Sequence, residues 1–168
     1  LPRILGDSND KTPDGAPAAA GSDETVVAFF TGDHRACDGV WAAVETAADG
    51  GDADAVKATL AAFDAKVRRH LAMEEEVLFP AFEEATGMHG AGPTVVMRME
   101  HQQMRALLDT MGKAAETGNI ADVLGHGDTL LMLIQQHNMK EEGMLYPMVD
   151  QHLTDQVPGL IQKMDSIE

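Results

Sequence analysis

The sequence is poor in cysteine, in cationic residues and in long apolar runs. Cys37 is the single cysteine, so one chain has no internal disulfide and no thiolate cluster for zinc or an iron–sulfur centre. This composition favours a reducing compartment, and we predict a cytoplasmic protein. Residues 1–22 have neither a basic start nor a long apolar run, so we expect no signal peptide and no membrane-spanning segment.

Acidic residues outnumber basic residues by more than two to one. The 168 residues include 12 Lys+Arg and 28 Asp+Glu, which gives a formal net charge of −16 at pH 7. Such a charge repels nucleic acid phosphates and anionic lipid headgroups, so we expect neither as a partner. The hydrophobic content of 44% is sufficient for one domain with a core.

Within this acidic chain there is an internal repeat. A shift of 67 positions superimposes two sets of side chains, each made of two histidines and one glutamate with the same intervals of 36 and 4 residues. The local sequences HLAMEEEVLFP and HNMKEEGMLYP also align. The two sets are His34, His70, Glu74 and His101, His137, Glu141. Such a duplication indicates a repeated structural unit that carries a site.

Apolar side chains recur at helical spacing in four segments, which are separated by glycine-rich or polar breaks. The predicted helices run from about Asp23 to Ala48, from the break AADGGDADA to about Thr86, from Pro93 to about Gly118, and from Ile120 through Leu145. Four long helices with short connections indicate an all-α fold, an antiparallel up-down four-helix bundle.

The two ends of the chain differ from this bundle. Residues 1–22 lack apolar periodicity, so we predict a flexible N-terminal arm preceding a domain at 23–168. Apolar residues after Thr154 predict a short fifth helix that covers one end of the bundle. Pro80 and Pro147 each lie six residues after the glutamate of their repeat, and each is expected to bend or end its helix.

The repeated side chains are of the types that bind metal ions. A step of four residues returns to the same face of a helix, so the histidine and glutamate of each HxxxE motif project together. The first and third helices add one histidine each, so four imidazoles and two carboxylates meet in the core. These six side chains suit two metal ions better than one. The two glutamates then bridge the ions, and each ion binds two of the histidines. The absence of thiolates favours iron or manganese, with zinc as a frequent substitute.

Several other polar residues have simpler interpretations. A lone HxxxE motif is often only a contact between side chains on one helix. Asp38 lies four residues after His34 and is expected to be solvated or to orient that histidine. Three histidines lack partners at ligand spacing, although His89 is a weak candidate for an additional ligand; the three are His89, His126 and His152. Three carboxylates next to ligands are expected to face solvent: Glu75, Glu100 and Glu142.

Apolar residues near the motifs also have two interpretations. Methionines could line a channel for a small diatomic molecule, but filling an irregular core is the more frequent explanation. The methionines concerned are Met73, Met97, Met104, Met111, Met139 and Met144. We expect Trp41 to pack near the metal pocket and Cys37 to be a small buried residue.

The pattern resembles that of the hemerythrin-like family, the HHE cation-binding domains. These domains have a histidine on the first helix, an HxxxE motif, a third-helix histidine and a final HxxxE or HxxxxD motif, and the resemblance covers about residues 23–152. It implies two iron ions, and we expect an oxo or hydroxo bridge between them. It further implies that His34 and His70 bind one ion, that His101 and His137 bind the other, and that Glu74 and Glu141 bridge them.

One departure from the oxygen-carrying hemerythrins bears on function. Those proteins have a second histidine four residues before the third-helix histidine, where this chain has Met97. A thioether is a poor ligand for iron in such a site, so both ions are expected to keep open positions. The final HxxxE motif resembles that of hemerythrin-like domains in nitric-oxide-response and iron-sensing proteins. Reversible oxygen transport is therefore disfavoured.

Three functions are compatible with this sequence. The preferred one is a di-iron protein that binds O₂ or NO for sensing, storage or stress response. The second is an enzyme that turns over peroxide or nitric oxide or assists iron–sulfur cluster repair; it needs an external reductant, because the chain has no dinucleotide or flavin motif. The third is a metal-dependent interaction module with a protein partner.

Overall fold

The computed structural model describes residues 24–168, which are helical throughout apart from short connections. The N-terminal arm predicted for residues 1–22 lies outside the described residues. The helices are α1 (Val26–Asp49), α2 (Ala53–Met73), α3 (Phe79–Thr86), α4 (Pro93–Glu116), α5 (Ile120–Lys140), α6 (Tyr146–Leu153) and α7 (Val157–Asp165). The predicted all-α bundle is confirmed: α1 packs against α2, α2 against α4, α4 against α5, and α5 against α1.

Local sequence explains where the helices begin and end. The side chain of Thr25 accepts a hydrogen bond from the backbone N–H of Ala28, so α1 starts three residues later than predicted. Asp52 caps α2 and Asn119 caps α5 in the same way. Gly87 ends α3 with a φ of 71°, which is a left-handed conformation that favours glycine.

The helices do not end at the two prolines. A π-helical turn, Glu74–Leu78, joins α2 to α3, and a second, Glu141–Leu145, joins α5 to α6. Each proline is the second residue of the helix after the turn. The π-helical turn already interrupts the regular α-helical hydrogen bonds. The absence of a proline N–H donor therefore costs little free energy at this position. Both π-helical turns begin at the glutamate of an HxxxE motif.

Two apolar clusters fill the bundle, and the repeated histidines lie between them. The first cluster includes Phe30, Phe79 and Tyr146, and the second includes Cys37, Trp41 and other residues further from α7. On α1, His34 lies between Phe30 of the first cluster and Cys37 of the second.

The predicted fifth helix is α7, and its apolar face closes the end of the bundle next to the first cluster. The buried residues of α7 are Val157, Leu160, Ile161 and Met164. None of the helices within residues 24–168 has the length and apolar composition needed to cross a membrane.

Candidate metal centre

The structure brings all six repeated side chains together in the interior of the bundle. None of the six is more than 6% exposed, and both glutamates are fully buried. We refer to these residues as the ligand cluster: His34, His70, Glu74, His101, His137 and Glu141. Charged side chains are rarely buried so completely unless they are paired or bind a metal ion.

The four imidazoles form two pairs. The ring centroids of His34 and His70 are 4.8 Å apart, and those of His101 and His137 are also 4.8 Å apart. In the second pair, the two Nε2 atoms are only 3.1 Å apart. Each pair therefore presents two inward-facing nitrogens to one point.

Glu74 contacts one histidine of each pair. Its Oε2 atom lies 3.4 Å from Nε2 of His70 and 3.2 Å from Nε2 of His101. This oxygen and the His70 Nε2 atom are both buried and have no hydrogen-bond partner. Buried polar atoms without a partner are costly, and here they face a common space.

Glu141 has the corresponding position on the other side of the ligand cluster. Its Oε1 atom lies 2.7 Å from Nε2 of His137, and its Oε2 atom lies 3.5 Å from Nε2 of His34. Oε1 is also buried without a hydrogen-bond partner. Each glutamate thus reaches from one histidine pair to the other, which is the arrangement that a carboxylate bridge between two ions requires.

The charges within the ligand cluster stabilise one another. Burial by itself raises the pKa of Glu74, but nearby His70 and His101 outweigh this effect and bring the pKa well below 4.5. Burial lowers the pKa of His70, but the charge of Glu74 and a hydrogen bond with Asp33 raise it to about 10. A proton on His70 balances the charge of Glu74 in this way, and a divalent cation is suited to the same role.

A carboxylate also contacts the outer nitrogen, Nδ1, of every imidazole in the ligand cluster. We call these four groups the outer carboxylates. The pairs are His34 with Glu142 at 2.6 Å, His70 with Asp33 at 2.8 Å, His101 with Glu75 at 2.8 Å, and His137 with Glu100 at 2.7 Å. An ionised carboxylate only accepts hydrogen bonds, so Nδ1 carries the proton. A neutral imidazole then has its lone pair on Nε2, facing inward.

These contacts correct one expectation. Glu75, Glu100 and Glu142 were expected to face solvent, but each approaches a histidine on another helix. Each of these glutamates is next in sequence to a residue of the ligand cluster. The turn of about 100° per residue points the glutamate side chain away from that neighbour and toward the adjacent helix. Asp33 was missed, although Asp33 and Glu100 precede equivalent histidines in the two repeats. Comparing the acidic neighbours of the ligands across the repeat would have identified both pairs.

Cationic side chains hold three of the outer carboxylates. Arg105 donates two hydrogen bonds to Glu75, at 2.8 and 2.9 Å. Lys66 forms an ion pair with Asp33, and Lys140 forms one with Glu100. The ion pairs restrict the carboxylates and thereby the imidazole rings that they contact.

Tyr146 is also part of the site, although it was not among the residues predicted from the sequence. Its hydroxyl oxygen lies 2.8 Å from Oε1 of Glu74 and 2.8 Å from Oε2 of Glu141. Burial, followed by the charges of the two glutamates, raises the pKa of this phenol well above 10.0. The equivalent residue in the first repeat is Phe79. This difference within the repeat was the available signal.

A narrow cavity of about 20 Å³ lies beside the ligand cluster. Three of the histidines line it together with Cys37, Met104, Ile134 and other residues of the second apolar cluster. Burial raises the pKa of the Cys37 thiol to about 12, so it remains a neutral wall residue, as expected. Trp41 packs against Phe63 instead, with ring centroids 5.0 Å apart, and does not line this cavity.

The remaining residues that the sequence suggested are not part of the ligand cluster. Asp38 is exposed, and His89 is 62% exposed in the connection before α4. Met97 is buried in the first apolar cluster. Met139 and Met144 are 69% and 46% exposed, so they line no channel. The other buried methionines belong to the two apolar clusters: Met73, Met104 and Met111.

Comparison with known protein families gives a match to a family model. The hemerythrin HHE cation-binding domain matches residues 25–149, a range that includes the whole ligand cluster and the outer carboxylates. Comparisons with curated proteins and with solved structures give no match.

Proposed function

Because this chain belongs to the hemerythrin HHE cation-binding domain family, we propose that it binds two iron ions and uses them to bind O₂ or NO. The observation that carries this proposal is the arrangement of two histidine pairs joined by two buried glutamates. Unpartnered atoms of His70, Glu74 and Glu141 face the space between the pairs. Imidazole and carboxylate ligands without thiolate suit iron, with manganese or zinc as substitutes.

The geometry supports a specific division of the ligands. His34 and His70 would hold one ion, His101 and His137 would hold the other, and the two glutamates would bridge them. When bound, a reduced iron pair supplies electrons and open positions for a small diatomic ligand. The outer carboxylates fix the tautomer and the orientation of the rings.

The surroundings of the cluster favour a small apolar ligand. The adjoining cavity of about 20 Å³ has about the size that one water or diatomic molecule needs. Val67, Leu71 and Ile134 are among its walls, and apolar walls disfavour ions and larger polar molecules. Capture of O₂ or NO for sensing, storage or stress response fits such a cavity, and the single cysteine supports a cytoplasmic setting.

Optical spectroscopy of the reconstituted protein tests the proposed ligand. The protein is purified without oxygen, loaded with Fe(II) and mixed separately with O₂, NO and hydrogen peroxide. The proposal predicts two irons per chain and a stable spectral change with O₂ or NO. Continuous consumption of peroxide or NO in the presence of a reductant would instead identify an enzyme. No spectral change with O₂ or NO on a protein that holds two irons would contradict the proposal.

Substitution of the bridging glutamates tests the site itself. Glu74→Ala and Glu141→Ala each remove a carboxylate shared by both ions, so each variant should bind fewer than two irons per chain. Glu76→Ala is the matched control, because Glu76 is exposed on the same π-helical turn as Glu74. Metal analysis after removal of free iron gives the result. Two retained irons in both glutamate variants would rule out bridging.

A further inference from the structure

Tyr146 breaks the symmetry of the site. The ligand cluster and the outer carboxylates follow the repeat. Every histidine has a histidine at the equivalent position of the other repeat, and every carboxylate has a carboxylate. The aromatic residue after each π-helical turn does not follow the repeat, because Phe79 follows the first turn and Tyr146 the second. Phe79 stacks on His101, with ring centroids 5.6 Å apart. Tyr146 instead places a hydroxyl group between the two glutamates.

The contacts of this hydroxyl exceed what a phenol can satisfy. Its oxygen lies 2.8 Å from both Glu74 and Glu141, but a phenol has one proton and can donate to only one of them. The other contact brings two oxygen lone pairs together in a fully buried position. A cation between these oxygen atoms would make all the contacts favourable.

The neighbours of Tyr146 indicate which ion it would approach. The hydroxyl oxygen lies 3.4 Å from Nε2 of His34. Phe30 stacks on the tyrosine ring at 4.8 Å and also packs edge-on against His70 at 5.2 Å. The phenol is thus held by packing on the side of the His34 and His70 pair.

We propose that Tyr146 is a seventh protein ligand and binds, as a phenolate, the iron ion held by His34 and His70. The inference rests on the proposed di-iron centre. The phenolic proton is released to solvent when the ion binds, as other protons are released when a metal displaces them. The two ions then have different ligand sets, although the rest of the site is repeated.

Resonance Raman spectroscopy of the oxidised, iron-loaded protein tests this assignment. Tyr146 is the only tyrosine in the chain, so any iron–tyrosinate signal belongs to it. We expect a visible charge-transfer band whose excitation enhances phenolate ring vibrations. Growth on ring-deuterated tyrosine should shift these vibrations in the wild-type protein, without any substitution.

Tyr146→Phe provides the matched variant, because it restores the residue found at the equivalent position of the first repeat. It should lose the charge-transfer band and keep two irons per chain by metal analysis. Two bound irons without tyrosinate vibrations in the wild-type protein would overturn this inference alone. Fewer than two irons in the wild-type protein would contradict the proposed function as well. If the variant fails to fold, the labelled wild-type protein still decides the assignment.

Discussion

Each outer carboxylate holds the nitrogen of an imidazole that faces away from the ligand cluster. Such partners orient a metal-binding histidine and increase its basicity, and their loss commonly lowers metal affinity about 10- to 100-fold. We therefore expect Asp33→Asn and Glu75→Gln each to weaken iron binding by about this factor. Competition against a chelator of known affinity measures the change.

Asp38→Asn is the control for this residue-scale prediction. Asp38 lies on the same helix as Asp33 but is exposed, so its substitution should leave the affinity for iron unchanged. An equal loss in the Asp33 and Asp38 variants would indicate a general effect of surface charge. It would contradict the role that we assign to the outer carboxylates.

At the residue scale, the repeat was the informative signal. It brought the six residues of the ligand cluster to attention, because two copies of one spacing are unlikely to coincide by chance. The outer carboxylates could not be found by considering each helix separately, since their partners lie on neighbouring helices. Tyr146 was missed because Phe79 and Tyr146 are equivalent as apolar aromatic residues and differ only in the hydroxyl group.

At the scale of single elements, the two π-helical turns distinguish this bundle from a regular one. In each turn, the carbonyl of the glutamate accepts a hydrogen bond from the N–H five residues later. The sequence predicted a disturbance near Pro80 and Pro147 but not its form. A π-helical turn inserts one residue into a helix that otherwise continues, and the resulting shift of about 100° is no more than the usual width of an apolar face, so periodicity did not reveal it.

Close packing of α5 against α1 gives a further test at this scale. A Cβ atom at Gly127 would lie 2.4 Å from a ring atom of Trp41, whereas a Cβ atom at Gly125 would meet nothing within 4 Å. Gly127→Ala should therefore lower the free energy of unfolding by about 1–3 kcal/mol. Gly125→Ala should raise it by up to about 1 kcal/mol, because alanine favours the helix.

Chemical denaturation of the metal-free protein measures both changes. The two substitutions are chemically identical and lie two residues apart on one helix, so the comparison isolates the contact with Trp41. Similar unfolding free energies for both variants would contradict the close approach of α5 to the indole ring.

At the scale of the whole molecule, apolar periodicity predicted the bundle, because four amphipathic helices with short connections have few other ways to bury their apolar faces. The predicted second helix corresponds to α2, a π-helical turn and α3, whereas the predicted fourth helix corresponds to α5 and a π-helical turn, and α6 continues beyond its predicted end at Leu145. The start of α1 was predicted too early, because Thr25 supplies the cap and the helix begins at Val26.

Metal binding should stabilise this whole bundle. Two fully buried glutamates and four imidazoles lie in its centre, and ions that bind only the folded state stabilise it by mass action. At a free Fe(II) concentration of 100 times Kd, one site adds about 2.7 kcal/mol. For a chain of this size we expect each occupied site to raise Tm by about 5–10 °C. Anaerobic thermal unfolding with and without Fe(II) measures it, and Mg²⁺ is the control ion.

A Tm that responds equally to Fe(II) and Mg²⁺ would indicate general binding of cations to an acidic surface. A Glu141→Ala variant that gains the full rise in Tm would also contradict stabilisation through the ligand cluster.

X-ray diffraction at the iron absorption edge, from crystals of the iron-loaded protein, tests the central claim most directly. We predict two peaks of anomalous scattering inside the ligand cluster, one next to His34 and His70 and the other next to His101 and His137, with Glu74 and Glu141 reaching both. A single peak, or peaks that lie outside the ligand cluster, would contradict the claim that this bundle holds a carboxylate-bridged pair of iron ions.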